Sequence, residues 1–348
     1  MRFGQSEWMG RSLSGIAAGL GAAGAVVLAA HLIAAAVPAF DTIGQLSEPG
    51  LCLCGAALLA SLFGRRWRAA AALALVCAGL CLALWPQVSA GSSGPGPGPG
   101  PGPGPGPGRG VPLRIYFNNI WTDNVDGVAI ARSIERADAD VVALVQVSDK
   151  NRFFVDNVLA RYPYRVWARQ VSNGAGRTVV ASRFPLGGAE PSCADWKLPP
   201  GFEVVVRAPT PVRLIVVHLP RPWPFRFDQR RDFKRLVRQV SAGGAIGQTV
   251  VVGDFNATLS SAVQRRLADA TGLRPLPALL GDWPTWLPPP LRLAIENAFA
   301  GQGLSAAGRR LAPFSGSDHQ PLLFEVSRAA GAGRAPLPAA AGRPACFP

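Results

Sequence analysis

Three long apolar stretches open the chain, and shorter alternating runs follow. Residues 13–37 carry only small polar side chains and His31 among apolar ones. One helix of that length crosses a hydrocarbon core of about 30 Å. Residues 42–63 form a second stretch, strongest over 51–63 and interrupted early by Glu48 and Pro49. Residues 69–88 form a third. A cleaved signal peptide would explain the first stretch alone. Two further apolar stretches follow it, so all three are read as transmembrane helices. Arg2 and Arg11 precede the first, and Arg65, Arg66 and Arg68 separate the second from the third. Between the first stretch and the strong part of the second lie Asp41 and Glu48, with no Lys or Arg. Basic residues stay cytoplasmic. The N-terminus and the 64–68 turn are therefore expected inside, and everything beyond residue 88 outside. If the second stretch does not span, the assignment reverses.

Residues 94–108 alternate strictly between Gly and Pro. Such a segment has no large apolar side chains and cannot build a core. Its period of two excludes collagen, which needs glycine at every third position. Nearly extended, it would reach roughly 45 Å. Residues 91–110 are accordingly read as a spacer between a membrane region, 1–90, and a globular domain, 111–327. The tail, 328–348, is mostly Ala, Gly, Pro and Arg and reads as disordered.

Within 111–327 the pattern switches between period two and period 3.6. Residues 113–117, 140–146, 179–182, 204–207 and 213–218 read as strands. Residues 125–137 read as a helix with Asp123 or Asn124 as its cap. In 228–240, Phe233, Leu236, Val237 and Val240 fall on one helical face. About 215 residues suffice for a full core. Strands alternating with helices make this an α/β domain.

The formal charge is +14, nearly all of it from Arg. This suits an anionic partner: a phosphate ester, an anionic lipid or a nucleic acid. An Arg-favouring, high-GC genome is the alternative source. Of six cysteines, Cys52, Cys54, Cys77 and Cys81 fall in the apolar region and read as small hydrophobes. With Cys193 and Cys346, they form neither a disulfide framework nor a zinc pattern.

The chemistry concentrates at strand ends. In Val250-Val-Val-Gly-Asp-Phe-Asn256, a β-branched strand runs into a tight turn. The turn presents a carboxylate, Asp254, and an amide, Asn256, two residues apart. Such oxygens suit a hydrated Mg²⁺ and a phosphate. His218 ends the run Val216-Val217-His218, and Asp318 and His319 lie in Ser317-Asp318-His319, just before an apolar run at 322–324. Together they point to phosphate ester hydrolysis. Trp223, Trp283 and Trp286 lie in Pro-rich loops, where packing is the favoured reading over a substrate rim.

The order of these motifs resembles the endonuclease/exonuclease/phosphatase superfamily, with its deoxyribonuclease-I-like fold. Residues 113–120 resemble the first strand, ending in Asn119, and residues 140–147 the second, which normally ends in Gln-Glu. Residues 216–219, 253–257 and 317–321 resemble the later blocks. The resemblance spans roughly 111–327 and is similar to membrane-anchored bacterial members with several N-terminal spans. It implies a two-sheet β-sandwich flanked by helices, preceded here by three transmembrane helices in the inner (plasma) membrane. It also implies Mg²⁺ (or Mn²⁺) held by Asn119, Gln146 and Asp318. His218 would hydrogen-bond the phosphate, and Asp254 would orient or deprotonate the attacking water. Asn256 would hold a phosphate oxygen, and His319 would polarise the phosphate or assist proton transfer. Two positions depart from the family pattern. Gln146 stands where a metal-binding glutamate is usual, with Asp149 nearby as a substitute whose bland reading is a solvated carboxylate. Glu296 stands where an aspartate usually orients the last histidine, followed by Asn297 in place of a ring residue. The expected function is a membrane-anchored, metal-dependent phosphoesterase acting on a phosphomonoester or phosphodiester. The alternatives are a degenerate member that binds phospholigands, motivated by Gln146, and an extracytoplasmic nuclease. The nuclease is disfavoured because no basic stripe interleaved with aromatics is present.

Overall fold

The computed structural model describes residues 3–89, 111–168, 176–188, 201–222, 228–242 and 244–332. The Gly-Pro spacer, Cys193, Cys346, Trp223 and the tail beyond 332 lie outside them.

The chain opens with four helices: α1 (Phe3–Ile33), the single turn α2 (Asp41–Gly44), α3 (Ser47–Phe63) and α4 (Trp67–Ser89). By length and composition α1, over Gly15–Ile33, and α4 can each cross a membrane. The second apolar stretch is not one straight helix. The segments Pro38–Gly44 and Ser47–Phe63 meet at a 55° bend, so a third span exists only if the bent pair counts as one. Pro49 accounts for the break. It lacks an N–H, and in a continuous helix its ring would clash with the carbonyl four residues back. The three long helices pack together through Val27, Cys54 and Leu80.

Residues 111–332 build two six-stranded sheets. The first runs β11 (Leu304–Leu311), β12 (Leu322–Arg328), β1 (Leu113–Asn119), β2 (Val141–Val147), β4 (Arg177–Ser182) and β3 (Tyr164–Trp167). The second runs β5 (Leu186–Gly187), β6 (Gly201–Val206), β7 (Val212–His218), β8 (Thr249–Asp254), β10 (Glu296–Ala300) and β9 (Arg274–Pro275). Strand periodicity decides which side chains meet. Ile115 and Phe117 of β1, Leu214 and Val216 of β7, and Val250 and Val252 of β8 point between the sheets. The alternate residues of β7 and β8, Ile215, Val217 and Val251, face outward onto Phe233, Leu236 and Val240 of α7 (Asp228–Ala242) and Leu267 of α8 (Ala262–Thr271). On the other flank Tyr116, Val142 and Leu144 meet Ile130 and Ile134 of α5 (Gly127–Ala137) and Val155 of α6 (Arg152–Leu159). The result is an α/β sandwich with helices on both outer faces.

Local details differ from expectation in small, explicable ways. The cap of α5 is Asp126, whose Oδ1 accepts from Ala129 N at 2.9 Å. Asn124 instead accepts from Asp126 N and orders the turn, while Asp123 pairs with Lys150. The last strand continues through Arg328. Arg213, fully buried in β7, donates to both oxygens of Glu203 and to Val240 O, tying the sheet to the end of α7.

Candidate active site

Register assembles the first three groups. Parallel pairing sets His218, the last residue of β7, opposite Asp254, the last of β8. Antiparallel pairing sets Glu296, the first of β10, on the other side of Asp254. Three ionisable side chains therefore line one end of one sheet. Gly253 makes this approach feasible, since a Cβ there would lie 2.1 Å from Val217 O. The facing sheet supplies Asn119 from the end of β1, and the segment entering β12 supplies His319.

Asp254 is the hub. Its Oδ2 accepts from Asn119 Nδ2 at 3.0 Å and lies 3.7 Å from His218 Nε2 and 3.8 Å from His319 Nε2. Its Oδ1 accepts from Asn256 N at 2.8 Å. Glu296 sits behind His319, its Oε1 3.4 Å from Nδ1, an ion-pair separation whose geometry falls short of a hydrogen bond. The same Oε1 accepts from Asn119 N at 2.9 Å. Burial by itself lowers the His319 imidazole, but the Asp254 and Glu296 carboxylates outweigh it and raise the group to about 9. Burial raises Glu296 to about 7 against the pull of His319. His218 shifts the other way: burial lowers it despite Asp254, and His319 and Arg221 lower it further. At neutral pH Asp254 thus lies between a charged and a neutral imidazole.

Gln146 adopts a left-handed conformation, φ 60°, where the pairing of β2 with β4 slips between Leu144 and Val147. Gly176 permits it, because a Cβ there would lie 2.6 Å from the Gln146 backbone. The bulge brings Gln146 Nε2 to 3.2 Å from His218 Nε2. Asp318 lies beside His319 and shares Trp283 with it. Its Oδ2 accepts from Trp283 Nε1 at 3.1 Å, and no hydrogen bond among the described residues joins it to Asn119 or Gln146. The Asn256 amide is turned inward, with Nδ2 donating to Leu219 O at 2.8 Å. Asn297 is a buried brace, donating to Ala257 O and Ala294 O. Asp149 is exposed beside Arg177, as its bland reading anticipated.

Sequence reasoning missed several supports. Asp282 is fully buried and accepts from the backbone N–H of Ile295 and Glu296, fixing the start of β10. Burial and the nearby Glu296 raise its pKa. Arg309, also buried, donates to Glu296 O. Ser317 Oγ donates to Asn119 O and accepts from His319 N, locking together the two groups that the first sheet contributes. Trp283 flanks the His319 ring, whereas Trp286 is 76% exposed, against the packing expected of it. Asp282 resembles an ordinary turn former in sequence and carried no signal, whereas Ser317 stood in the Ser-Asp-His block.

A two-sheet sandwich with an imidazole–carboxylate–imidazole cluster at its strand ends defines the class: a deoxyribonuclease-I-like α/β domain with a polar centre where the two sheets meet. The profile of the Endonuclease/Exonuclease/phosphatase family matches residues 119–319, more than half of the chain, and the protein belongs to that family. Among solved structures, an AP endonuclease from Archaeoglobus fulgidus is similar, with 13% identity over 61% of this chain and 98% of its own, at a TM-score of 0.50. An endonuclease/exonuclease/phosphatase protein from Beutenbergia cavernae shares 21% identity over 64% and 73% of the two chains, TM-score 0.47. A sphingomyelinase C from Streptomyces griseocarneus shares 16% over 62% and 99%, TM-score 0.46. No curated protein sequence matches the chain. The family's members are hydrolases of phosphoester bonds.

Proposed function

We propose that the chain is a membrane-anchored phosphoesterase that uses a divalent cation and activated water. The carrying observation is the convergence on Asp254 Oδ2 of Asn119, His218 and His319, from both sheets, with Glu296 behind His319. Charged His319 offers an N–H to the phosphoryl oxygens, where negative charge builds in the transition state. Asp254 takes the proton of the water whose oxygen bonds to phosphorus; the ester P–O bond breaks, its oxygen takes a proton from charged His319 and leaves as the alcohol, and the proton on Asp254 restores His319. Glu296 keeps His319 charged and oriented. Neutral His218 turns one ring nitrogen, Nε2, toward both the Gln146 amide and Asp254 Oδ2.

Among the described residues no group of three or more His, Cys, Asp or Glu is arranged to hold a metal. The available donors, the amide oxygens of Asn119 and Gln146 and the Asp318 carboxylate, are all oxygen. Mg²⁺ is commonly held by one or two carboxylates, waters and the substrate's own phosphate, so this set fits a weakly held cation. Bound there, the cation would neutralise charge on the phosphate.

The full chain in detergent should hydrolyse bis(p-nitrophenyl) phosphate with Mg²⁺ or Mn²⁺, and His319→Ala should abolish turnover. A second reading, a phospholigand-binding member, is favoured by one observation: Gln146 turns its amide to His218 where a second metal carboxylate would otherwise stand. If the wild type is inert and Gln146→Glu creates activity, that reading replaces the first. Outward placement of the domain rests on the Arg65–Arg68 turn. An alkaline phosphatase fused after Gly110 should be active, and an inactive fusion would place the domain in the cytoplasm.

A further inference from the structure

The bundle does not merely tether the α/β domain. It is bonded to the segment that follows the GDFN turn. Asp41 Oδ1 accepts from Ala262 N at 2.9 Å, and Gln45 Oε1 accepts from Thr258 N at 3.2 Å. Gln87 near the end of α4 donates to Ser260 Oγ at 3.4 Å and accepts from Ala278 N at 2.8 Å. All these partners are buried. The end of α1, the 38–47 bend and the end of α4 thus meet the active-site end of the second sheet, while the arginine-rich turn at 64–68 lies at the other end of the helices.

A cleft opens along this junction. Ala34, Pro38 and Ala39, followed by the polar Asp41 and Gln45, form its bundle wall, and Gln229 and Arg230 stand on its domain wall. Gln229 joins the cleft to the site, for its Nε2 donates to the carbonyls of Phe255 and Asn256 at 3.2 and 3.1 Å. Exposed Arg221, next to Pro222, is near enough to act electrostatically on His218. Arg230 and Arg266 stand at the same level, Arg266 donating to Ala35 O at the end of α1. The bundle wall is therefore apolar where it continues α1 and polar at Asp41 and Gln45, and the domain wall carries the Arg230 guanidinium, with Arg221 beside Pro222 at its edge.

We infer that the substrate is a phosphate ester carried by an anionic lipid of the same bilayer, with Arg230 and Arg266 engaging the head-group layer and Arg221 lying on the way to His218. This rests on the phosphoesterase reading and on the membrane anchor. Its chemistry is the same hydrolysis: water adds to phosphorus, and the ester bond to the lipid or to its head group breaks.

The test uses the full chain in proteoliposomes of equimolar phosphatidylcholine and phosphatidylglycerol. Two substrates are followed in parallel, phosphatidylglycerol by lipid chromatography and bis(p-nitrophenyl) phosphate by absorbance. A photoactivatable phosphatidylglycerol reports binding without turnover. Consumption of both esters is expected, and Arg230→Glu with Arg266→Glu should lower the lipid-to-chromogenic turnover ratio about tenfold. Photolabel should appear at Arg221 or Arg230 and be lost in the double variant. Chromogenic turnover without lipid turnover, or an unmoved ratio, overturns the lipid substrate and leaves the phosphoesterase standing. Inert protein that still photolabels overturns the phosphoesterase and with it the substrate assignment. Absence of photolabel overturns the cleft as a lipid site whatever the activity.

Discussion

Leu80 in α4 and Leu214 in β7 are both completely buried, yet their surroundings differ in kind. Around Leu80 the helices are apolar on nearly every side, and Phe63, Leu75 and Leu82 stand 87%, 75% and 73% exposed. Around Leu214 the pattern is strict: inward residues fill the space between the sheets and outward ones meet helices that are polar on their far side. In water, exposed rings and leucines cost free energy that the sandwich avoids by alternation. In hydrocarbon they cost nothing, and helices associate through close packing of small residues instead. Gly24 and Gly50 serve that end, with Cβ atoms there meeting Cys54 at 2.8 Å and Val27 at 3.3 Å. The contrast separates a region fitted to an apolar surround from one that carries a precise polar site.

The sharpest test of that division is catalytic. His319→Ala should reduce kcat/KM on bis(p-nitrophenyl) phosphate by about a thousandfold, whereas Phe63→Ala at the far end of the bundle should leave it within about twofold. A large loss from Phe63→Ala would mean the two regions are not separable. Next comes packing. Leu214→Ala should cost about 3 kcal/mol in chemical denaturation, and Leu75→Ala less than about 0.5 kcal/mol. Gly253→Ala should also cost about 3 kcal/mol, because Val217 O leaves no room for a methyl. Equal costs for Leu75 and Leu214 would abolish the distinction.

A smaller effect concerns pH. His319 is raised to about 9, so its contribution to stability is fully present below about pH 6.5 and fades as pH rises through 9. Glu296, raised to about 7, acts in the same direction over the lower window, from about 4.5 to 7, since its buried carboxylate must become charged. The lowered His218 opposes them below about pH 6.5, so in EDTA the denaturation midpoint should fall from about pH 6.5 to 9. Glu296→Gln should remove the lower part of that slope and shift the His319 NMR titration to lower pH. A flat profile would show that the ionisations are not linked to folding. The smallest effect is at the junction: Asp41→Ala should cost about 1 kcal/mol, the worth of a capping carboxylate on the first N–H of α8.

Much was legible in the chain itself. The three apolar stretches, the alternation in 213–218 and 250–254, and the 3.6-residue face of 228–240 are local patterns, and local patterns report which faces must avoid water. The family blocks also marked Asn119, His218, Asp254 and His319, because each closes or follows a strand. Register, however, is a relation between segments. Only strand pairing placed His218, Asp254 and Glu296 side by side, and only the left-handed bulge at Gln146 turned its amide onto His218. Asp318 was drawn from the same block as His319, and only the folded chain set its carboxylate on Trp283, whose ring also flanks His319. The meeting of the 38–47 bend with Thr258 and Ala262 joins positions more than two hundred residues apart. Hydrophobic periodicity carries no information about such a contact, because its energy lies in buried backbone groups that find partners only when the whole chain has packed.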